Sequence, residues 1–287
     1  MMPSVSVIIP TYNRRPLVRE AVESVLAQSY RGFELIVVDD GSEDGTVREL
    51  SACGPGITVI PQARRGAASA RNLGVRSSRG KYLAFLDSDD LWKPRKLEIQ
   101  AAFLDSHPEL EICQTEEVWL RNGRRVNPRK RHRKPSGDIF RPSLELCLVS
   151  PSAVMMTRGL FELLGGFDES FPVCEDYDLW LRVSRDYPVP LIPDPLTIKR
   201  GGHPDQLSRS TWGMDRFRVR ALEKLLRSGV AGEKRSWVIE AMAGKIAVLA
   251  GGARRRGRES EALEYERLAA EFTRERDHVG PTDSGLR

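Results

Sequence analysis

Asp87-Ser88-Asp89 places two carboxylates at i and i+2, a spacing that lets a chain leaving regular pairing turn both toward one divalent cation. Hard oxygen ligands suit Mg2+ or Mn2+, which keep coordination positions open for phosphate oxygens. The same pair also closes an ordinary loop, and Asp-x-Asp alone does not separate the two. In Asp39-Asp40-Gly41-Ser42, Asp39 is placed to accept hydrogen bonds from a nucleotide, and Ser42 or Asp44 to cap a following helix. Tyr12 offers a ring for stacking on a base, or simply a half-buried aromatic. Within residues 66–74, Arg71 emerges among small residues, where it either pairs with a carboxylate or binds a phosphate. Glu175-Asp176-Tyr177-Asp178 sets three acids in the first turn of an expected helix, just after the loop-forming Gly165-Gly166-Phe167-Asp168. Acids there complement the helix dipole; one that faces a cleft can serve as a general base.

These residues need elements to hold them. Val5-Ser6-Val7-Ile8-Ile9 reads as a strand, and Leu17, Val18, Ala21, Val22, Val25 and Leu26 repeat at helical spacing, with Pro16 tolerated in the first turn. Further strands are expected at 33–38, 57–60 and 82–86, with helices at 43–52, 66–77 and 94–106. Strands apolar on both faces and separated by helices predict a parallel sheet covered by helices. Ligands of such sheets bind beyond the carboxyl ends of the strands. Thr11-Tyr12-Asn13, Asp39-Asp40 and the 87–90 acids all follow strands and are expected to converge there. The second half is less regular: extended pieces at 112–120, 152–156, 191–192 and 196–199, a helix at 175–185, and long helical patterns from about residue 214.

Composition narrows the classes. An apolar fraction of 40% with 30% charged residues excludes global disorder. No apolar run approaches the roughly 20 residues of a bilayer span, and the chain enters its first strand without a leader-like pattern, so no signal segment is expected. Cys53, Cys113, Cys147 and Cys174 are scattered and read as reduced thiols of a cytoplasmic protein. Dinucleotide and Walker loops are missing, as are the zinc-protease and hydrolase signatures. The net charge is +5, yet Arg121, Arg124, Arg125, Arg129, Lys130, Arg131, Arg133 and Lys134 form one run without an acid. Removing those eight charges from +5 leaves the remainder at −3, so a general nucleic-acid coat is not expected. The run itself, with Gly123 and Pro128, reads as a loop or ragged hairpin.

Taken together, residues 7–14, 33–42, 70–74 and 85–92, with 165–168 and 175–182, resemble the glycosyltransferases of family two, in the family's order across roughly residues 4–205. The resemblance implies an α/β fold of the GT-A kind: Rossmann-like, a mostly parallel central sheet flanked by helices, here with a C-terminal helical extension. It implies a domain at 1–212, divided into a nucleotide-sugar half (1–107) and an acceptor half (108–212), followed by the extension at 213–287. The implied reaction moves one sugar, with inversion, from a nucleotide-diphosphate donor, UDP-linked by default, to a hydroxyl of a saccharide or lipid-linked acceptor. By that resemblance Thr11, Tyr12 and Asp39 hold the nucleoside, and Arg71 lies near the diphosphate. Asp89 binds Mn2+ or Mg2+, and Asp87 either joins it or serves the ribose. Asp176 is the base, and His203 matches a late metal or diphosphate ligand. Glu175, Arg129, Lys130 and Arg131 fall on the acceptor side. The Gln/Arg-x-x-Arg-Trp motif of processive relatives is missing, which points to single-sugar transfer. Cell-surface polysaccharide or glycolipid synthesis, at the inner face of an anionic membrane or free in the cytoplasm, is the expected setting. Two other classes stay open on the residues alone: a haloacid-dehalogenase-like phosphatase using Asp87 and Asp89, and a non-catalytic protein binding anions through residues 121–134.

Overall fold

The computed structural model describes residues 3–54, 56–127, 132–202 and 213–278, with side chains placed to residue 272. The chain folds as two compact units, Met1–Ser210 and Thr211–Arg287. The first unit is built on a nine-stranded sheet. Its strands are β1 (Val5–Thr11), β2 (Phe33–Asp39), β3 (Thr58–Pro61), β4 (Tyr82–Phe85), β5 (Leu91–Trp92), β6 (Ile112–Arg121), β7 (Arg124–Val126), β8 (Val154–Thr157) and β9 (Leu191–Gly201). They lie in the order β3-β2-β1-β4-β8-β6-β9-β5, with β7 paired to β6 off that path.

The expected parallel half is present. β3, β2, β1 and β4 run parallel, with Thr11 level with Asp39 and Ile8 level with Phe85. The sheet then reverses at β8, which is antiparallel to both β4 and β6. β6 therefore points the same way as β1 and β4, so its carboxyl end lies on the edge that carries Thr11 and Asp39. Alternation along each strand feeds two cores. Val7, Ile9, Ala84 and Leu86 pack with Val18, Val22 and Leu97 on one face, while Ile8, Leu83 and Phe85 pack with Phe161, Phe167 and Trp180 on the other. The helices covering these faces are α1 (Arg15–Leu26), α2 (Thr46–Ser51), α3 (Ala67–Arg76), α4 (Lys96–Ser106), α5 (Phe140–Glu145), α6 (Arg158–Leu163) and α7 (Glu175–Asp186).

Several local expectations are corrected. The two extended pieces near residues 191–199 are one strand, β9. Its prolines are accommodated because the β6–β9 register shifts around Glu116, where Pro195 sits and no ladder donor is required. α5 and α6 are single-turn-scale helices, too short for a periodic pattern to announce them. The basic run is partly regular: Asn122 (φ 49°) and Gly123 (φ 74°) both adopt left-handed conformations and close a two-residue hairpin between β6 and β7. Lys134 does not belong to an exposed loop at all; it is buried and ion-paired with Glu117 at 3.2 Å.

The second unit contains α8 (Met214–Arg227), α9 (Gly232–Arg255) and α10 (Glu259–His278). By length and composition α9 could cross a membrane, although charged residues interrupt its apolar pattern; 56% of its most apolar window is buried within the protein, as in a core helix.

Candidate active site

The carboxyl edge of β1 and β2 is tied together by its own polar side chains. Asp40 donates its N–H to Thr11 O (2.8 Å), Asn13 N donates to Ser42 Oγ (2.8 Å), and Glu43 N donates to Asn13 Oδ1 (2.8 Å). Ser42 is thereby spent on the loop. The helix start falls to Asp44, whose Oδ1 accepts from Thr46 N at 3.0 Å. The two adjacent aspartates have different work. Asp40 accepts from Gln62 Nε2, Arg65 N and Gly66 N at 2.6, 2.8 and 2.8 Å, fixing the loop that leads into α3. Asp39 accepts from Ser42 N at 3.0 Å with Oδ2, but its Oδ1 has no partner although the residue is only 2% exposed. Thr11 Oγ1, at 3% exposure, is likewise unpartnered. A buried acceptor without a donor costs about 1–3 kcal/mol, so a donor group arriving at this edge would be stabilised there. Tyr12 lies beneath the Arg64 guanidinium, 4.1 Å from ring centroid to Cζ.

α3 explains the residues around Arg71. Gly74 lets the helix lie against β1: a Cβ there would stand 2.5 Å from Ile8 Cγ2. Asn72 clamps the 165–168 loop, donating to Phe167 O (2.8 Å) and accepting from Phe167 N (3.1 Å). Arg71 is buried and divided between two acids, Nη2 to Asp87 Oδ1 at 2.7 Å and Nη1 to Glu175 Oε1 at 2.6 Å. The arginine expected at a phosphate thus joins the carboxylate turn to the start of α7. Of the readings open in the sequence, this is the carboxylate-pairing one.

At the 87–90 turn each acid has a distinct setting. Burial pushes the Asp87 carboxyl up, and the Arg71 guanidinium with the Lys199 ammonium more than reverses this, leaving it below the usual carboxylate range. Asp89 is held above that range, first by burial and then by Asp87; Arg14 Nη1 is 3.5 Å from its Oδ2. Asp90 is buried, accepting from Ser152 Oγ (2.7 Å) and Arg200 N (2.9 Å), with Lys199 Nζ at 3.6 Å. Burial, reinforced by Asp89 and Asp87 and opposed by Lys199, pushes Asp90 up to about 7. Asp87 and Asp89 are therefore crowded, partly exposed hard oxygen donors whose mutual repulsion a divalent cation relieves. No group of three acids, histidines or cysteines with metal-binding geometry exists among the described residues. His203, Arg129, Lys130 and Arg131 lie outside them.

The acids opening α7 also divide. Glu175 is buried and paired with Arg71; its pKa is raised by burial, against the pull of Arg71. Asp178 is buried and paired with Arg182 at 2.7 Å. Asp176 alone of the three is not buried. Its Oδ2 accepts from Cys147 Sγ at 3.5 Å and its Oδ1 from Tyr177 N at 2.7 Å, and among the described residues no cation pairs with it. The structure thus joins Asp87 to Glu175, the neighbour of Asp176, through the Arg71 guanidinium, and Thr11 with Asp39 through strand register. Lys199, Ser152 and Arg200 also line this turn, yet they sit inside strand patterns or one residue outside them and carry no motif that marks them in the sequence. The phosphatase alternative is disfavoured here, because its nucleophile, Asp87, is held by a guanidinium.

The chain matches the family model "Glycosyl transferase family 2" over residues 6–164. It is 36% identical over 188 residues to an uncharacterized glycosyltransferase of Rickettsia prowazekii, a match covering 64% of this chain and 59% of that protein. It is 33% identical over 187 residues to WfgD of Escherichia coli, a UDP-Glc:alpha-D-GlcNAc-diphosphoundecaprenol beta-1,3-glucosyltransferase, covering 63% of this chain and 70% of WfgD. The chain thus spans about 59–61% of the length of the first two curated relatives it matches. Among solved structures, S. aureus TarS 1–349 in complex with UDP-GlcNAc superposes with a TM-score of 0.65 at 19% identity, covering 96% of this chain and 92% of TarS. That likeness identifies the α/β architecture as GT-A. With its family model matched across most of the sheet and its acids arranged on the carboxyl edge, the chain belongs to glycosyl transferase family 2.

Proposed function

We propose that this protein transfers one sugar, with inversion, from a nucleotide-diphosphate sugar to an acceptor hydroxyl. The observation that carries the reading is the pair of buried, unpartnered acceptors, Asp39 Oδ1 and Thr11 Oγ1, on the same sheet edge as Asp87. A base with an N–H donor, uracil by preference, satisfies Asp39, and Tyr12 supplies a ring beside it. Asp87 and Asp89 would hold a divalent ion, Mn2+ or Mg2+; such an ion, when bound, neutralises charge growing on a diphosphate leaving group. Lys199 places an ammonium 3.6 Å from the adjacent Asp90. Asp176 removes the acceptor proton as the new bond forms. Arg71 acts as a positioning residue that fixes the carboxylate turn and the base helix to each other.

In this reading residues 1–107 form the donor half and 108–212 the acceptor half. Residues 213–287 form the helical extension. The acceptor is a saccharide or a lipid-linked sugar, as WfgD's name states for that relative, in cell-surface polysaccharide synthesis on the cytoplasmic side. The test is a panel of nucleotide sugars with Mn2+, read as thermal shift and slow donor hydrolysis. A UDP-sugar that raises the melting temperature in wild type and fails to do so in Asp39→Ala is the expected result. If no sugar nucleotide binds, the proposal fails.

A further inference from the structure

The β6–β7 hairpin carries a charge arrangement that the sugar-transfer chemistry does not use. Antiparallel pairing sets Arg121 directly opposite Arg124, on the same face as the Trp119–Val126 pair, while Arg125 lies opposite Leu120 on the other face. Like charges facing each other across a strand pair are unfavourable. Here the three arginines are exposed and none has a hydrogen-bond or ion-pair partner among the described residues. On the Arg121–Arg124 face the surface is apolar a step inward, where Trp119 and Val126 are each half-buried, and on the Arg125 face Leu120 is half-buried as well. The hairpin also sits beside the acids. Trp119 pairs in register with Lys199, whose ammonium is 3.6 Å from Asp90. Arg121 is two residues further along β6, about 7 Å outward at the usual strand rise.

An exposed tip that keeps two guanidiniums side by side, with an indole and a valine behind them, matches a surface of phosphate anions over an apolar layer. We propose that the 121–126 hairpin docks on anionic lipid headgroups, Arg121 and Arg124 taking phosphate oxygens together and Arg125 reaching a neighbouring headgroup. Docking there presents a lipid-linked acceptor to the carboxyl edge. That consequence rests on the proposed transfer reaction, whereas the docking itself does not. Each arginine near an anionic membrane surface is worth enough that three together change binding about a hundredfold.

The test uses the full chain and sedimentation with two vesicle types, phosphatidylcholine alone and phosphatidylcholine mixed with phosphatidylglycerol. Wild type is expected to bind the mixed vesicles, more weakly as salt rises, and to leave phosphatidylcholine in solution. The Arg121→Gln/Arg124→Gln/Arg125→Gln variant should lose about two orders of magnitude in vesicle affinity. A control with the exposed Arg31, Arg48 and Arg79 changed to Gln should retain it. The hairpin variant should also keep the wild-type melting temperature and donor-hydrolysis rate. Equal binding by the hairpin and control variants overturns the proposal, as does equal wild-type binding to both vesicle types. Capture of an RNA oligonucleotide through the same arginines, without vesicle binding, overturns it in favour of a nucleic-acid surface. Donor hydrolysis is read separately, so a chain that binds vesicles but hydrolyses no nucleotide sugar fails the transfer reading and leaves the docking surface standing.

Discussion

Three acids of one type of chemistry open the same helix, and their surroundings give them three different roles. Glu175 and Asp178 are each neutralised by a guanidinium, and Asp176 meets a thiol and a backbone N–H. A carboxylate that is uncompensated and half-exposed is the one able to take a proton from a substrate hydroxyl. Asp176→Asn keeps the size and the hydrogen bond from Tyr177 N but cannot accept a proton at working pH. We expect unchanged donor affinity and melting temperature, with transfer slower by about 10²–10⁴; measured turnover equal to wild type would remove Asp176 from the role. The same contrast between neighbours marks what the sequence can convey. That Asp39, Asp87 and Asp89 belong near one edge was readable, because each follows a strand, whereas Asp176 was singled out by family resemblance and not by its place in the sheet. Which of Asp39 and Asp40 keeps a free oxygen was not, because that depends on donors 22 to 26 residues away in Gln62, Arg65 and Gly66. Arg71 shows the opposite ambiguity: its burial among small residues was legible, its bridge to Glu175 across 104 residues was not.

Elements with their own signal were legible to within a few residues. β1, β2, β4, α1, α3 and α7 are long or strongly patterned, and local sequence dictates them. β9 was broken in two by its prolines, because the bulge that accommodates them is a property of the β6–β9 pair and not of either strand. α3 offers a prediction at this scale. Replacing glycine by alanine inside a helix normally stabilises it by up to about 1 kcal/mol. At Gly244, within α9, an added Cβ meets nothing within 4 Å, so Gly244→Ala should stabilise by about that amount. At Gly74 the same methyl collides with Ile8, a fully buried side chain, and α3 must move off β1. Gly74→Ala should therefore destabilise by about 1–3 kcal/mol despite its better propensity. Because Arg71 and Asn72 ride on that helix, it should also slow transfer. Denaturant titration of both variants checks the pair; two changes of the same sign would refute the packing argument.

At the scale of the whole molecule the mild excess of positive charge resolves into separate populations. The exposed arginines of the hairpin face solvent, Lys134 and Lys199 are drawn to carboxylates, and Lys96 is enclosed without a carboxylate partner among the described residues. Lys96 is 0% exposed; its ammonium donates to Gln100 Oε1 at 2.5 Å and lies 4.0 Å from the Trp92 ring centroid. Burial lowers its pKa to about 7, with Lys134 adding to the effect and Glu117 opposing it. An unfolded lysine titrates near about 10.4. Between those values the unfolded chain holds a proton that the folded chain has released, so raising the pH through that window stabilises the fold. Below about 7 both states are charged and the full cost of burying the ammonium is present. Lys96→Met keeps the length and the contact with Trp92 while removing the charge. It should be more stable than wild type near neutral pH by on the order of a few kcal/mol. That advantage should shrink steadily as the pH rises from about 7 and vanish only above about 10.4, where wild-type Lys96 is neutral in both states. Guanidinium unfolding at a series of pH values measures the difference directly. A gap independent of pH would show that Lys96 is not being discharged by the fold, and a less stable variant at neutral pH would mean that its contacts with Gln100 and Trp92 outweigh the burial of its charge.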